Sequence, residues 1–190
     1  MVRELMRTFL AVDLSSDLKK EAAVFVESVK QLCRGFRFIP PENWHMTLHF
    51  FGEISERDAR RMTPELDHAL REVNGFQLSL SGFGAFPSLK SPRVLWVGVD
   101  KGATELIHLK EKVDQSLKKL NVSLETRPFH PHVTIARVQD QSREADLSTR
   151  STFHGRVIDQ VNQVTLYQSE LTRSGARYHS LFKFPLANPR

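Results

Sequence analysis

Trp44-His45-Met46-Thr47-Leu48-His49-Phe50-Phe51 and His132-Val133-Thr134-Ile135 carry one short pattern twice: histidine, apolar residue, threonine, apolar residue. The second copy begins 87 residues after the first, at positions 132 and 45, close to half of the 190-residue chain. Both copies lie in apolar runs that read as β-strands. Side chains alternate along a strand, so His45 and Thr47 share one face while Met46 and Leu48 enter the core, and His132 and Thr134 do the same beside Val133 and Ile135. Each copy therefore presents an imidazole next to a hydroxyl. The half-chain spacing invites a duplicated architecture, and if the two halves face each other, two imidazoles and two hydroxyls meet across one cleft.

The surrounding sequence predicts the rest of the fold. Arg7 to Leu14 reads as a strand that stops at the polar cluster Asp13, Ser15, Ser16 and Asp17. Leu18, Ala22, Phe25, Val29 and Leu32 recur at helical spacing, which predicts a helix over Asp17 to Cys33 with Ser16 as its N-cap and Gly35 closing the pattern. Phe36 to Ile39 is a short strand ended by Pro40 and Pro41, and Trp44 to Phe51 is a stronger one bounded by Gly52. A second helix starts near Ser55 and reaches Gly75, with Pro64 expected to kink it or start it afresh. The alternation of Phe76, Leu78 and Leu80 and the run Val94 to Val99 are strands, separated by a Gly/Pro/Ser loop over Gly82 to Arg93. Ala103 to Leu120 carries an amphipathic stripe and is a third helix. His132 to Val138, Val161 to Leu171 and Arg177 to Phe184 complete the strands, and Gln139 to Thr152 reads as a loop. Strands outnumber helices and follow one another without crossovers. The class is α+β, with antiparallel or mixed sheets and helices packed on them.

Composition bounds the function. With 40% hydrophobic and 26% charged residues the chain is neither disordered nor fibrous, and its length favours one domain spanning residues 1–190. The single cysteine, Cys33, falls in the first helix's apolar stripe and cannot form an internal disulfide, which points to a reducing compartment. No apolar run approaches the roughly 20 residues of a membrane span, and the expectation is a cytoplasmic protein. Lys and Arg number 27 against 22 Asp and Glu, a net +5 that favours anionic partners, although the basic residues are scattered rather than clustered in a tail.

Two imidazoles and two hydroxyls in one cleft have a specific use. An imidazole titrates near pH 6.5, so one ring of a pair can accept a proton while the other donates one. Threonine hydroxyls can donate hydrogen bonds to oxygens that gain negative charge at a phosphoryl centre. No metal and no cofactor is demanded.

Arg7-Thr8-Phe9-Leu10-Ala11-Val12-Asp13, Pro41-Glu42-Asn43-Trp44-His45-Met46-Thr47-Leu48-His49-Phe50-Phe51-Gly52-Glu53 and Arg127-Pro128-Phe129-His130-Pro131-His132-Val133-Thr134-Ile135-Ala136-Arg137, with the ending from Leu166-Tyr167 to Phe184-Pro185-Leu186, resemble the RNA 2',3'-cyclic phosphodiesterases. These are also called bacterial and archaeal 2'-5' RNA ligases and belong to the two-histidine (2H) phosphoesterases. The resemblance covers nearly the whole chain. It implies a bilobal, pseudo-symmetric LigT-like fold whose antiparallel sheets line a central cleft, with helices outside. It implies hydrolysis of an RNA 2',3'-cyclic phosphate end to a 2'-phosphate, with His45 as proton donor to the departing O3', His132 as the acceptor that activates water, and Thr47 and Thr134 on the non-bridging oxygens. With a 5'-hydroxyl in place of water the same displacement gives a 2'-5' linkage without ATP. A monomer is expected.

By the same resemblance Arg137 meets the phosphate, yet it stands five residues beyond His132, and strict alternation places it on the opposite face unless a bulge redirects it. His49 and His130 share strand parity with the motif histidines, which keeps a four-imidazole zinc hydrolase as a rival, with His49 otherwise a rim or sheet-face residue. A non-catalytic RNA-binding module on the same scaffold is a further alternative. Phe9 and Phe51 are read as core residues rather than base-stacking ones. His68, His108, His154 and His179 are read as structural or exposed.

Overall fold

The computed structural model describes residues 5–140, 144–145, 153–172 and 175–188. Twelve strands and three helices are set out along them. In order these are β1 (Leu5–Asp13), α1 (Ser16–Lys30), β2 (Cys33–Arg34), β3 (Phe36–Phe38), β4 (His45–Ser55), α2 (Glu56–Leu70), β5 (Phe76–Leu78), β6 (Leu80–Phe86), β7 (Val94–Val99), α3 (Ala103–Lys119), β8 (His132–Val138), β9 (Glu144–Ala145), β10 (Asp159–Val161), β11 (Gln163–Thr172) and β12 (Gly175–Pro185). The class is α+β, as the sequence predicts.

Two four-stranded antiparallel sheets dominate, ordered β12-β11-β1-β4 and β3-β8-β7-β6. The first motif lies on β4 in one sheet and the second on β8 in the other. Helices α2 and α3 pack on each other and on β4, while Phe25 of α1 meets Phe83 of β6 at 5.6 Å. The core is continuous between the sheets: Met46 and Leu48 from β4, Val133 and Ile135 from β8, Leu66 and Leu70 from α2, and Leu106, Leu109 and Val113 from α3 are all almost fully buried. The apolar positions of both motifs therefore anchor their strands, leaving the alternate face free for polar side chains.

Several boundaries differ from the expected ones for local reasons. Ser15, not Ser16, caps α1: its Oγ accepts from Leu18 N–H at 3.3 Å. The helix stops at Lys30, where Leu32 N–H turns back to the Val29 carbonyl, so Cys33 leaves the helical stripe and pairs with Ala145 in a two-stranded ribbon. Burial there raises its thiol pKa to about 11, which makes it a poor nucleophile. Pro64 neither breaks nor restarts α2, which runs unbroken from its Ser55 cap and ends at Leu70, ahead of Gly75. Two glycines taken as breakers instead sit inside strands. Gly52 (φ +70°) and Gly82 (φ +80°) adopt the left-handed conformation at register shifts, so β4 continues to Ser55 and β6 runs from Leu80 to Phe86, into the 82–93 stretch where a loop is expected. Of the predicted 139–152 loop, residues 144–145 form β9, while 141–143 and 146–152 lie outside the described residues.

Candidate active site

The two motif histidines are held in the same way. A 3-10 turn over Pro41–Asn43 feeds into β4, and Trp44, 2% exposed, fixes the entry by donating its indole N–H to the Ile39 carbonyl at 2.8 Å. His45 Nδ1 then lies 2.7 Å from the Asn43 carbonyl, and His132 Nδ1 lies 2.6 Å from the His130 carbonyl. A carbonyl oxygen only accepts, so Nδ1 carries the hydrogen in both rings and Nε2 is left for the cleft. In each case the partner is the backbone two residues upstream. Aromatic rings complete the clamp. Phe9 stacks on His45 at 4.7 Å and Tyr178 meets it edge-on at 5.2 Å, while Phe86 abuts His132 edge-on at 5.1 Å. Phe9 is thus buried, as expected, but its ring is spent on a motif histidine.

His45, Thr47, His132, Thr134 and Arg137 all line one open cavity of about 1130 Å³ between the sheets. Arg137 reaches it because the strand is bulged. In the β7–β8 pairing Trp96 opposes Thr134 and Leu95 opposes Ala136, so Ile135 is inserted without a partner and the alternation inverts beyond it. Ile135 and Ala136 are consecutively buried and Arg137 turns to the side of His132. The same device recurs in β4: Ala11 opposes Thr47 and Leu10 opposes His49, so Leu48 is inserted. This corrects two readings. His49, expected on the face of His45, is turned away, 4% exposed and packed against Phe51 at 4.7 Å, whereas Phe50 enters the cleft in its place. The four imidazoles of the zinc rival therefore do not converge: His49 lies behind the sheet and His130 packs on Trp96 at 4.7 Å.

Charge in the cleft is strongly one-sided. Among the described residues Arg7, Arg37, Arg137 and Arg177 line it against the single lining carboxylate of Glu42. Burial pushes His45 down to about 4, opposed by its bond to Asn43 and by the Asp13 carboxylate, with Lys19 and Arg137 adding to the depression. His132 is lowered as well, by burial first and then by His130 and Arg137. One guanidinium thus acts on both rings. Asp13, which accepts from Tyr167 Oη at 2.6 Å and Thr165 Oγ1 at 2.8 Å, favours the charged form at His45 but is no influence on His132. Burial raises the Tyr178 hydroxyl, which stays a neutral hydrogen-bond donor.

Reading the sequence missed Phe50, Arg37 and Asn43, none of which carries a motif of its own. His179, expected to be structural or exposed, is exposed but lines the cleft rim 3.1 Å from Glu170. His68 and His108 are exposed on helices beside Glu72 and Glu111.

A family model described as LigT like Phosphoesterase matches the chain twice, over residues 12–96 and 97–178, and each match holds one histidine motif. An RNA 2',3'-cyclic phosphodiesterase of Thermotoga maritima is 31% identical over 178 residues, 94% of either chain. One of Aquifex aeolicus is 32% identical over 96% of this chain and 98% of its own. Among solved structures, TT0787 of Thermus thermophilus superposes with a TM-score of 0.80 at 27% identity, covering 97% of this chain and all of its own. Escherichia coli LigT complexed with 3'-AMP gives 0.75 at 26% identity, covering 96% and 99%.

Proposed function

This chain belongs to the LigT-like phosphoesterase family, and from that premise we propose that it hydrolyses the 2',3'-cyclic phosphate at RNA ends to a 2'-phosphomonoester. The observation that carries the reading is the pairing of His45 and His132, from different sheets, on one cleft with matching Nδ1–carbonyl bonds and Arg137 acting on both. Phosphoryl displacement needs positioning and charge stabilisation more than covalent help. In this reading a water oxygen attacks phosphorus as His132 Nε2 takes its proton, the P–O3' bond breaks, and His45 Nε2–H protonates the departing O3'. The proton count is conserved and the two rings exchange states. Thr47 and Thr134 hydroxyls donate to the non-bridging oxygens, and Arg137 neutralises the charge that accumulates there. Asp13 beside His45 supports that ring as the acid. Burial holds His45 neutral in the free protein, and the phosphodiester anion supplies the counter-charge that lets its imidazolium form. A 5'-hydroxyl in the water's place gives 2'-5' ligation by the same steps.

We take the chain to work as one bilobal domain, since each half supplies one histidine, and as a monomer, since all these groups lie on one chain. No described helix is long and apolar enough to cross a membrane. The cytoplasm, where a lone cysteine stays reduced, is its proposed compartment. The test is incubation with 2',3'-cyclic AMP in EDTA: 2'-AMP should form, and His45→Ala and His132→Ala should each lose about 10²- to 10⁴-fold in kcat. Full activity in both variants would reject the roles, and a 3'-AMP product would reject the leaving group.

A further inference from the structure

The bulge that turns His49 out of the cleft opens a second cavity behind β4. It holds about 290 Å³ and is lined by His49, Phe51, Val122, Ser123, Leu124 and Glu125, with Phe50 forming a wall common to it and the catalytic cleft. Phe50 is 59% exposed, an unusual state for an aromatic ring on a strand. Building on the phosphodiesterase reading, we propose that this cavity is a subsite for the base of the penultimate nucleotide, the one 5' of the nucleotide that carries the cyclic phosphate, which makes an RNA oligonucleotide the preferred substrate over a cyclic mononucleotide.

Four observations support that occupant. The volume lies at the lower end of small-ligand pockets, enough for one planar ring system and too small for a whole nucleotide. The lining is apolar on two sides, from Phe51 and from half-buried Val122 and Leu124, which suits a base's faces. It also has polar groups: exposed Ser123 and Glu125, and His49, whose ring nitrogens are buried without a hydrogen-bond partner among the described residues. A neutral imidazole there offers one donor and one acceptor, the pairing a base edge also carries. A phosphate is the wrong occupant, because the ionised Glu125 sits at the mouth, bridged to Arg127 at 3.1 and 3.0 Å, and Lys110 behind His49 is committed to Asp114. The phosphate belongs instead to the arginine-lined cleft on the other side of Phe50. Continuity through that ring lets a two-nucleotide end place its terminal phosphate in one cavity and its upstream base in the other.

The test compares kcat/KM for 2',3'-cyclic AMP with that for the dinucleotide ApA ending in a 2',3'-cyclic phosphate. The wild-type ratio should favour the dinucleotide by about 5- to 150-fold, the range one stacked base contributes. Ser123→Trp, at an exposed loop position where an indole fills the pocket, should bring the ratio below about twofold, and Phe51→Ala should lower it in the same sense. A loss of stability in either variant acts on both substrates alike and leaves the ratio unmoved. A wild-type ratio near one overturns the proposal, as does a high ratio that persists in Ser123→Trp. Failure to turn over either cyclic phosphate overturns the phosphodiesterase reading and this proposal with it.

Discussion

Acid should weaken the fold through His45 more than through an ordinary histidine. The ring titrates near 6.5 when unfolded, while burial under Phe9 and Tyr178 brings it to about 4 in the folded chain. Between those values the unfolded state holds more protons, so the contribution is fully present above pH 6.5 and is lost as pH falls through about 4. At 1.36 kcal/mol per unit the full shift is worth about 3 kcal/mol, most of it already lost by pH 4.5; water in the open cleft reduces that loss to about 2 kcal/mol. The assay is urea unfolding of wild type and His45→Gln at pH 7.5 and 4.5. The wild type should lose about 2 kcal/mol more than the variant between the two pH values, a difference that cancels any constant cost of the substitution. The ring's NMR titration should fall below pH 5 in free protein and move upward with inorganic phosphate in the cleft, because an anion stabilises the imidazolium. Equal acid losses in the two proteins, or a free-protein midpoint between 6 and 7, would refute the buried neutral ring and the role given to substrate charge.

Other outcomes follow from single contacts. Arg137→Lys keeps the charge but loses the planar fork, so kcat/KM should fall about 10-fold, and Arg137→Ala about 10²- to 10³-fold, with stability within about 0.5 kcal/mol because the side chain is exposed. Steady-state kinetics beside thermal melts separate the two effects. A Cβ at Gly84 would lie 2.2 Å from Trp96 Cζ2, so Gly84→Ala must displace the indole that packs on His130 and borders His132. It should cost about 1–3 kcal/mol in urea and lower kcat, whereas an unchanged kcat would show that Trp96 does not hold the ring. Ser55→Ala removes the Oγ that accepts from Asp58 N–H at 3.1 Å and should cost about 1 kcal/mol without changing activity.

Much of the molecule is legible in the chain itself. The run Val94–Val99 and the strand His132–Val138 stand where periodicity puts them, and α3 ends one residue early. The failures share a cause. Gly52 and Gly82 break a regular pattern in sequence, but in a sheet they serve as bulge residues, and nothing local separates a bulge from a strand end. Ile135-Ala136, two apolar residues in a row, is a faint sign that alternation slips before Arg137; Leu48-His49 gives no such sign, so strict alternation puts His49 on the wrong face.

The residues of the two motifs determine the chemistry on offer, because an imidazole and a hydroxyl two positions apart on a strand share a face whatever lies beyond. Which other side chains join them is decided by β1 and β7, the neighbouring strands, whose hydrogen bonds skip Leu48 and Ile135 and rotate everything downstream by half a turn. Register is a property of two strands, and one strand's sequence does not contain it. Through that rotation Arg137 and Phe50 come to face the cleft, and His49 comes to line a cavity of its own.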